Sequence, residues 1–258
     1  MKKLLVGIVL VGCAAAVASA ADVKTTIDLT YASKYIWRGF DMLDDASAWQ
    51  PSVNFGFDNG FSANAWASYA GTGGNDQMSR VNATEYRYTL AYSGTYAESC
   101  PWKTDYTVGW RYYDFIDMPT KDKDVQEVFA EFAMPSLLGD SGLVPRGAVY
   151  QMWDSKGEGL NKDFSGTIYA MGFGYNFKLE QAPDLPMMFG WDIVYNDGTG
   201  GPDVDNDWSH MVWSLKTSFT CPLTGGKVVP GVYFQNSFED TVNNEDELWG
   251  MISYALTF

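Results

Sequence analysis

Hydrophobic and polar residues alternate along most of this chain, most clearly at its end. From Leu248 to Phe258, every second residue is apolar, aromatic or glycine. Side chains of a β-strand point alternately to its two faces, so this period of two predicts a strand with one apolar face. About twelve segments of roughly ten residues share the pattern, which is the length of a tilted membrane-spanning strand. We expect strands near 23–38, 49–57, 61–70, 84–93, 104–113, 125–134, 144–153, 167–177, 189–195, 210–219, 228–237 and 248–258.

The two faces of these segments differ in chemistry. Between 104 and 113, for example, Val108 and Trp110 alternate with Thr107 and Arg111. Aromatic girdles at the bilayer interfaces and a polar interior are typical of membrane barrels, and closing the sheet removes its edges. The alternative is a soluble β-sandwich, whose strands also alternate. We predict an all-β fold: a transmembrane antiparallel β-barrel of about 12 strands over residues 21–258, preceded by a cleaved signal peptide.

The amino terminus has the organisation of a secretory signal peptide over residues 1–20. Lys2 and Lys3 precede an apolar stretch, which ends at the small residues of Ala18-Ser19-Ala20. A lipoprotein cleavage site at Cys13 is the second alternative. Cleavage after Ala20 lowers the basic residues from 17 to 15 against 32 acidic ones, a net charge of −17. This balance argues against binding nucleic acid or anionic membrane surfaces through bulk charge.

Most of the negative charge falls in the connections at one end of the expected barrel. Six connections at that end hold 19 acidic residues against 5 basic ones, and these are 39–48, 71–83, 114–124, 154–165, 196–207 and 239–246. Acidic loops attract cations within about a Debye length, near 8 Å at physiological salt. We assign this end to the cell exterior and expect a mildly cation-selective channel.

The inward faces of the expected strands also carry charges, which must be paired or hydrated at membrane depth. Two interpretations stay open: a constriction with a basic and an acidic wall that passes small polar solutes, or a salt-bridge lattice that plugs the barrel. A twelve-strand barrel is wider than the eight-strand barrels that side chains fill, which favours a narrow pore. The candidate pore-lining residues are Lys34, Arg38, Glu85, Arg87, Arg111, Glu127, Glu131, Asp192, His210 and Lys216.

No motif calls for a cofactor, a metal or covalent chemistry. The alternating aspartates of 203–207 lack the glycine and glutamate that an EF-hand needs at its sixth and twelfth positions, so a solvated acidic loop is the better interpretation. His210 is the only histidine, and a barrel hydrolase using it is a weaker alternative. Cys100 and Cys221 lie in turns nearly opposite each other, and we expect them to be unpaired.

The segment Tyr-Ile-Trp-Arg-Gly at 35–39 resembles the early Tyr-x-x-Arg-Gly signature of an uncharacterised family of bacterial outer-membrane, porin-like β-barrels. The resemblance implies a bacterial outer-membrane location and supplies no substrate. From the residues themselves, we expect Tyr35 and Trp37 to join the outer aromatic girdle. Arg38 then either turns into the pore mouth or pairs with an aspartate of the following loop.

The aromatic carboxy-terminal residue, Phe258, completes the expectation. A terminal strand ending in this way resembles the sorting signal that the outer-membrane barrel assembly machinery reads. The expected partners are therefore this machinery, outer-membrane lipid, and small polar solutes or ions; a homo-oligomer stays open. We predict a non-enzymatic porin-like channel for passive diffusion of small hydrophilic solutes. The alternative is a structural or adhesive barrel with a plugged lumen, whose function lies in its loops.

Overall fold

The computed structural model describes residues 23–73, 84–116, 124–155, 164–201 and 203–258, so the expected leader lies outside the described residues. A short 3₁₀ turn spans Gly139–Ser141. The strands are β1 (Val23–Ala32), β2 (Ile36–Trp37), β3 (Phe40–Asp41), β4 (Ala46–Phe57), β5 (Phe61–Gly73), β6 (Glu85–Tyr96), β7 (Thr104–Phe115), β8 (Val125–Ala133), β9 (Leu143–Asp154), β10 (Gly166–Leu179), β11 (Ala182–Asp197), β12 (Asn206–Thr217), β13 (Phe219–Thr220), β14 (Lys227–Ser237) and β15 (Glu247–Thr257).

Twelve long strands close into a single antiparallel barrel. Each pairs with its neighbours in sequence, with β2, β3 and β13 as two-residue additions. Closure is made by β1, in which Ile27 pairs with Val53 of β4 on one side and Leu256 of β15 on the other. The backbone of Phe258 continues this seam by exchanging hydrogen bonds of 2.8 and 3.2 Å with Thr25. The predicted all-β barrel of about twelve strands is confirmed.

The strand register separates an apolar outer face from a polar inner face. Leu90 and Trp110 pair across β6 and β7 on the outer face, and Leu90 is 58% exposed. Arg111 and Glu127 pair across β7 and β8 on the inner face. Other large apolar side chains exposed on the outside are Leu29, Trp49, Val108, Val128, Tyr169, Met171, Trp213, Leu215, Val232, Leu248 and Ile252. Among the described residues, we find no helix with the length and hydrophobicity needed to span a bilayer.

Several strand boundaries differ from the sequence prediction by two or more residues. β1 ends at Ala32 rather than continuing to Arg38. β11 begins at Ala182, ahead of the expected 189. β4 begins at Ala46 and contains Pro51 in its interior. Proline has no backbone N–H to donate, and the ladder between β4 and β5 accordingly carries no pairing at Pro51.

Residues 33–45 leave the barrel wall and fold back into its lumen; we call this segment the inner hairpin. Its two short strands, β2 and β3, are joined by Arg38 and Gly39, whose φ angles are +50° and +96°. Positive φ at both turn residues is the requirement of a type I′ hairpin turn. At its base, Tyr35 and Leu43 are buried against the start of β4.

Candidate pore and its inner hairpin

The tip of the inner hairpin is held by an ion pair. Arg38 Nη1 lies 2.6 Å from Glu127 Oε2, and the Arg38 guanidinium lies 3.8 Å from the centre of the Tyr150 ring. The Glu127 side chain is fully excluded from solvent. Arg111 Nη1 donates to Glu127 Oε1 at 3.0 Å, and Tyr113 Oη donates to Oε2 at 3.0 Å. Because both carboxylate oxygens accept hydrogen bonds, the burial of this charge is compensated.

A second contact joins the hairpin to β6. Tyr35 Oη donates to Glu85 Oε2 at 3.0 Å, and Glu85 also forms an ion pair with Arg87. The Arg87 guanidinium lies 4.4 Å from the ring centre of Trp66 and 5.3 Å from that of Trp37. A cation enclosed by aromatic faces gains electrostatic attraction from the rings, so this cluster fixes the hairpin's side next to β6.

A third contact holds the base of the hairpin, where Lys34 lies outside the long strands and Glu247 begins β15. Lys34 Nζ donates to Glu247 Oε2 at 2.7 Å and pairs with Asp45. Burial opposes the charge of Lys34, but its hydrogen bonds to both carboxylates outweigh this effect and raise the pKa of Lys34. Asp41 completes a close trio with the same carboxylates. Since Lys34 already supplies the cation that this trio needs, we assign no metal to it.

A fourth contact reaches the opposite wall. The Gly39 carbonyl accepts hydrogen bonds from Gln235 Nε2 at 2.9 Å and Asn243 Nδ2 at 3.2 Å. An added Cβ at Gly39 would lie only 2.6 Å from His210 Nδ1. The inner hairpin therefore bridges the lumen, from β6 and β8 on one side to β12 and β14 on the other.

His210 is enclosed in this structure and is 2% exposed. Its Nδ1 lies 2.9 Å from the hydroxyl of Ser209, which in turn donates to the Val194 carbonyl at 3.2 Å. Both side chains are buried beneath the turn of the hairpin, closed to a substrate. The geometry therefore gives no support to the weaker alternative of a hydrolase.

Two cavities lie on either side of the hairpin. The larger, of about 890 Å³, is lined by Arg38 and by Glu131, Arg146 and Asp192 of the wall. The smaller, of about 220 Å³, is lined by aromatic and charged residues that include Trp37. The hairpin separates a wide inner space on the side of the 97–103 turn from a narrow one on the side of the acidic loops.

The candidate pore-lining residues fall into three groups. Six of them belong to the hairpin, contact it, or form an ion pair with a residue that contacts it: Lys34, Arg38, Glu85, Arg87, Arg111 and Glu127. Glu131 and Asp192 line the larger cavity. His210 packs at the hairpin turn, and Lys216 lies on the inner face of β12, in register with Met188.

Sequence reasoning missed Arg146. Its Nε and Nη2 donate to the two carboxylate oxygens of Asp192 at 2.8 and 2.6 Å, a bidentate pair. The alternation of 144–153 is ambiguous, which hid the inward direction of this side chain. Two glycines on neighbouring strands leave room for this pair. A Cβ at Gly172 would collide with Asp192, and a Cβ at Gly190 would collide with Arg146.

The expectation for Tyr35 and Trp37 is wrong. Tyr35 is buried in the lumen, and the ring of Trp37 packs edge-on against Tyr113 at 5.5 Å between centroids. The partner of Arg38 is Glu127 rather than a loop aspartate. The reason is that β1 ends before these residues, so their alternation no longer maps onto the two faces of the wall. Cys100 and Cys221 are free thiols, as expected.

Comparison with known proteins finds similarity only at the level of structure. No protein-family model matches the chain, and no curated protein sequence matches it either. Among solved structures, the NanC porin has a TM-score of 0.56 at 7% identity, covering 90% of this chain and 98% of that one. The KdgM porin has a TM-score of 0.53 at 11% identity, covering 90% and 99%. The COG4313 outer membrane channel from Pseudomonas putida F1 has 0.50 at 8%, covering 92% and 95%. This chain is therefore similar in fold to outer-membrane porins and channels.

Proposed function

We propose that this protein is an outer-membrane, porin-like channel for passive diffusion of small hydrophilic solutes. The observation that carries the proposal is a closed twelve-strand wall, apolar outside, around a charged cavity of about 890 Å³. An apolar band facing lipid and a polar interior are the two requirements of a barrel channel. The inner hairpin lies between the two cavities, with Arg38 at its tip lining the larger one and Trp37 and Phe40 lining the smaller one.

Mild cation selectivity is part of the proposal. Its support is the excess of acidic residues in the connections at one end, which we assign to the cell exterior. Within the larger cavity, Glu131 accepts a hydrogen bond from Tyr150 Oη and makes no ion pair with any described residue. One similar structure is a KdgM porin in complex with disordered oligogalacturonate. The acidic loops would repel such a polyanion, so we propose neutral or cationic solutes here.

The partners follow from the same architecture. Outer-membrane lipid would cover the exposed apolar residues of the outer face, such as Leu248 and Ile252. The barrel assembly machinery would recognise the final strand, β15, together with the exposed Phe258 that follows it. Residues 1–20 would act as the export signal and be removed, leaving 21–258 as the barrel. A homo-oligomer is compatible with this arrangement, and no catalytic role is proposed.

Single-channel recording tests the function. The refolded mature protein in a planar bilayer should give ohmic current steps, and a salt gradient should give a reversal potential of cationic sign. Neutralising Asp203 and Asp205, which precede β12, to asparagine should reduce that potential without changing the wall strands. A reversal potential of anionic sign would contradict the proposed cation selectivity. A bilayer that shows no current with any folded variant would contradict the channel function.

The bridging of the lumen supports one second candidate, a plugged barrel whose function lies in its loops. In that case, the wild-type protein would carry no current, while a variant without the inner hairpin would conduct continuously. The first recording therefore separates the two functions.

A further inference from the structure

The wall groups that hold the inner hairpin share one property: each has another partner within the wall or its connections. Glu127 holds Arg38 but also accepts hydrogen bonds from Arg111 and Tyr113 of β7. Because those two donors stay in place if Arg38 departs, the buried carboxylate would remain paired. A buried charge left without a partner would be strongly destabilising, and the structure avoids this.

The same redundancy appears at the other contacts. Glu85 contacts Tyr35 of the hairpin and is also paired with Arg87 of its own strand. Gln235 Nε2 donates to the Gly39 carbonyl and also to Ser237 Oγ at 3.0 Å. Departure of the hairpin would leave both wall groups with a partner.

The base of the hairpin follows this pattern on both sides. Glu247 accepts from Lys34 and also from Asn243 Nδ2 at 3.1 Å. Lys34 in turn has a second carboxylate, Asp45, in its own segment. The polar groups of residues 36–41 that opening would expose, the Arg38 guanidinium and the Gly39 carbonyl, are ones that water solvates well. The rings of Trp37 and Phe40 would lose their packing in the lumen, so the closed state is the favoured one.

From this redundancy we propose that the inner hairpin is a gate, with a closed state held by Arg38 and Glu127 and an open state in which residues 36–41 leave the lumen. The inference rests on the proposed channel function. A two-state element requires two arrangements of comparable free energy, and here neither state leaves an unpaired charge in the wall. In the open state, the two cavities merge into one continuous path.

The gate predicts two current levels in single-channel recordings. Wild-type protein should switch between a low and a high conductance level. Arg38→Gln removes a charge-assisted hydrogen bond made only in the closed state, so the ratio of high to low occupancy should rise by roughly tenfold or more. Replacement of residues 36–41 by a glycine-serine linker should abolish the low level.

Arg146→Gln is the matched control. Arg146 is also a lumen arginine paired with a carboxylate, but its partner Asp192 is on β11 and not in contact with the hairpin. This substitution should leave the occupancy ratio within about twofold of wild type, because the described hydrogen bonds of this pair join β9 to β11 and do not reach the inner hairpin. Heat-modifiable migration on a gel confirms folding of each variant before recording.

Each outcome decides one question. A low level that persists in the linker variant would overturn the gate while leaving the channel intact. A silent wild type and a silent Arg38→Gln, together with a continuously conducting linker variant, would show a fixed plug instead. A folded linker variant that carries no current would remove the channel function itself.

Discussion

Arg38 and Glu127 form an ion pair inside the barrel, with Nη1 2.6 Å from Oε2, although one belongs to the inner hairpin and the other to β8. Arg38 is 11% exposed in its side chain, and Glu127 is not exposed at all. The pair therefore connects a segment near the start of the chain to the middle of the wall in a place with little water. Its energetic value depends on the other donors to Glu127, because desolvation of both charges has to be offset.

Glu127→Gln should cost up to about 3 to 5 kcal/mol of unfolding free energy, because it leaves Arg111, and Arg38 in the closed state, beside a neutral amide. Denaturant titration in detergent micelles, followed by tryptophan fluorescence, measures the loss. Glu131→Gln is the control on the same strand. Glu131 accepts one hydrogen bond from Tyr150 and makes no ion pair within the described ranges, so its loss should be about 1 kcal/mol. Equal losses for the two variants would contradict a special role for Glu127.

A charge on the outer face should be far more costly than one on the inner face. Leu90 lies in the middle of β6 on the outer face, and Leu90→Arg should cost about 2 to 4 kcal/mol on folding into lipid vesicles. Thr107 lies on the inner face of β7, in register with Glu131. Thr107→Arg should be tolerated, since the new guanidinium faces the larger cavity beside a carboxylate. Similar folding yields for both variants would contradict a lipid-facing outer belt.

The period of two was sufficient to predict the barrel because every long strand has one face in the lumen and one outside. It also placed Glu127, Arg111 and Asp192 on the inner face, where the structure has them. Register depends on this alternation, since a shift by one residue would turn every side chain to the wrong face. These features are local, and a single sequence carries them.

The inner hairpin could not be predicted in the same way, because its position depends on partners far along the chain. The alternation of β1 continues through Tyr35 and Trp37, so these aromatics resemble girdle residues. Their actual contacts are with Glu85 of β6 and Tyr113 of β7. The one local signal was Arg38 followed by Gly39, a pair that can adopt the positive φ values of a tight turn.

The thiol of Cys221, in the turn before β14, should react faster with alkylating reagents than an ordinary cysteine. A hydrogen bond from the Thr224 side chain, followed by backbone hydrogen bonds from residues 223 and 224, lowers the pKa of Cys221. A lowered pKa increases the thiolate fraction at neutral pH, and the thiolate is the nucleophile. In a Cys100→Ser background, Thr224→Val should slow alkylation near pH 7.5. The difference in alkylation rate should vanish once the pH is high enough to ionise Cys221 fully with and without the Thr224→Val substitution. A difference that persists at that pH would contradict the pKa explanation.

Gly39→Ala tests how closely the hairpin turn fits its place. The added Cβ would lie 2.6 Å from His210 Nδ1 and 2.7 Å from Val242 Cγ1, in a backbone conformation with φ of +96°. Gly225→Ala is the control, because its φ is +73° but no atom lies within 4 Å of the added Cβ. Both variants carry a backbone strain of about 1 to 2 kcal/mol, and only Gly39→Ala also causes a steric collision.

That collision is relieved if residues 36–41 move out of the lumen, because β12, which carries His210, is fixed by its backbone pairing with β11 and β14. Gly39→Ala should therefore raise the time-averaged current relative to Gly225→Ala, with both barrels remaining folded on a heat-modifiability gel. Unchanged current in Gly39→Ala would show that the turn does not occupy the conducting path.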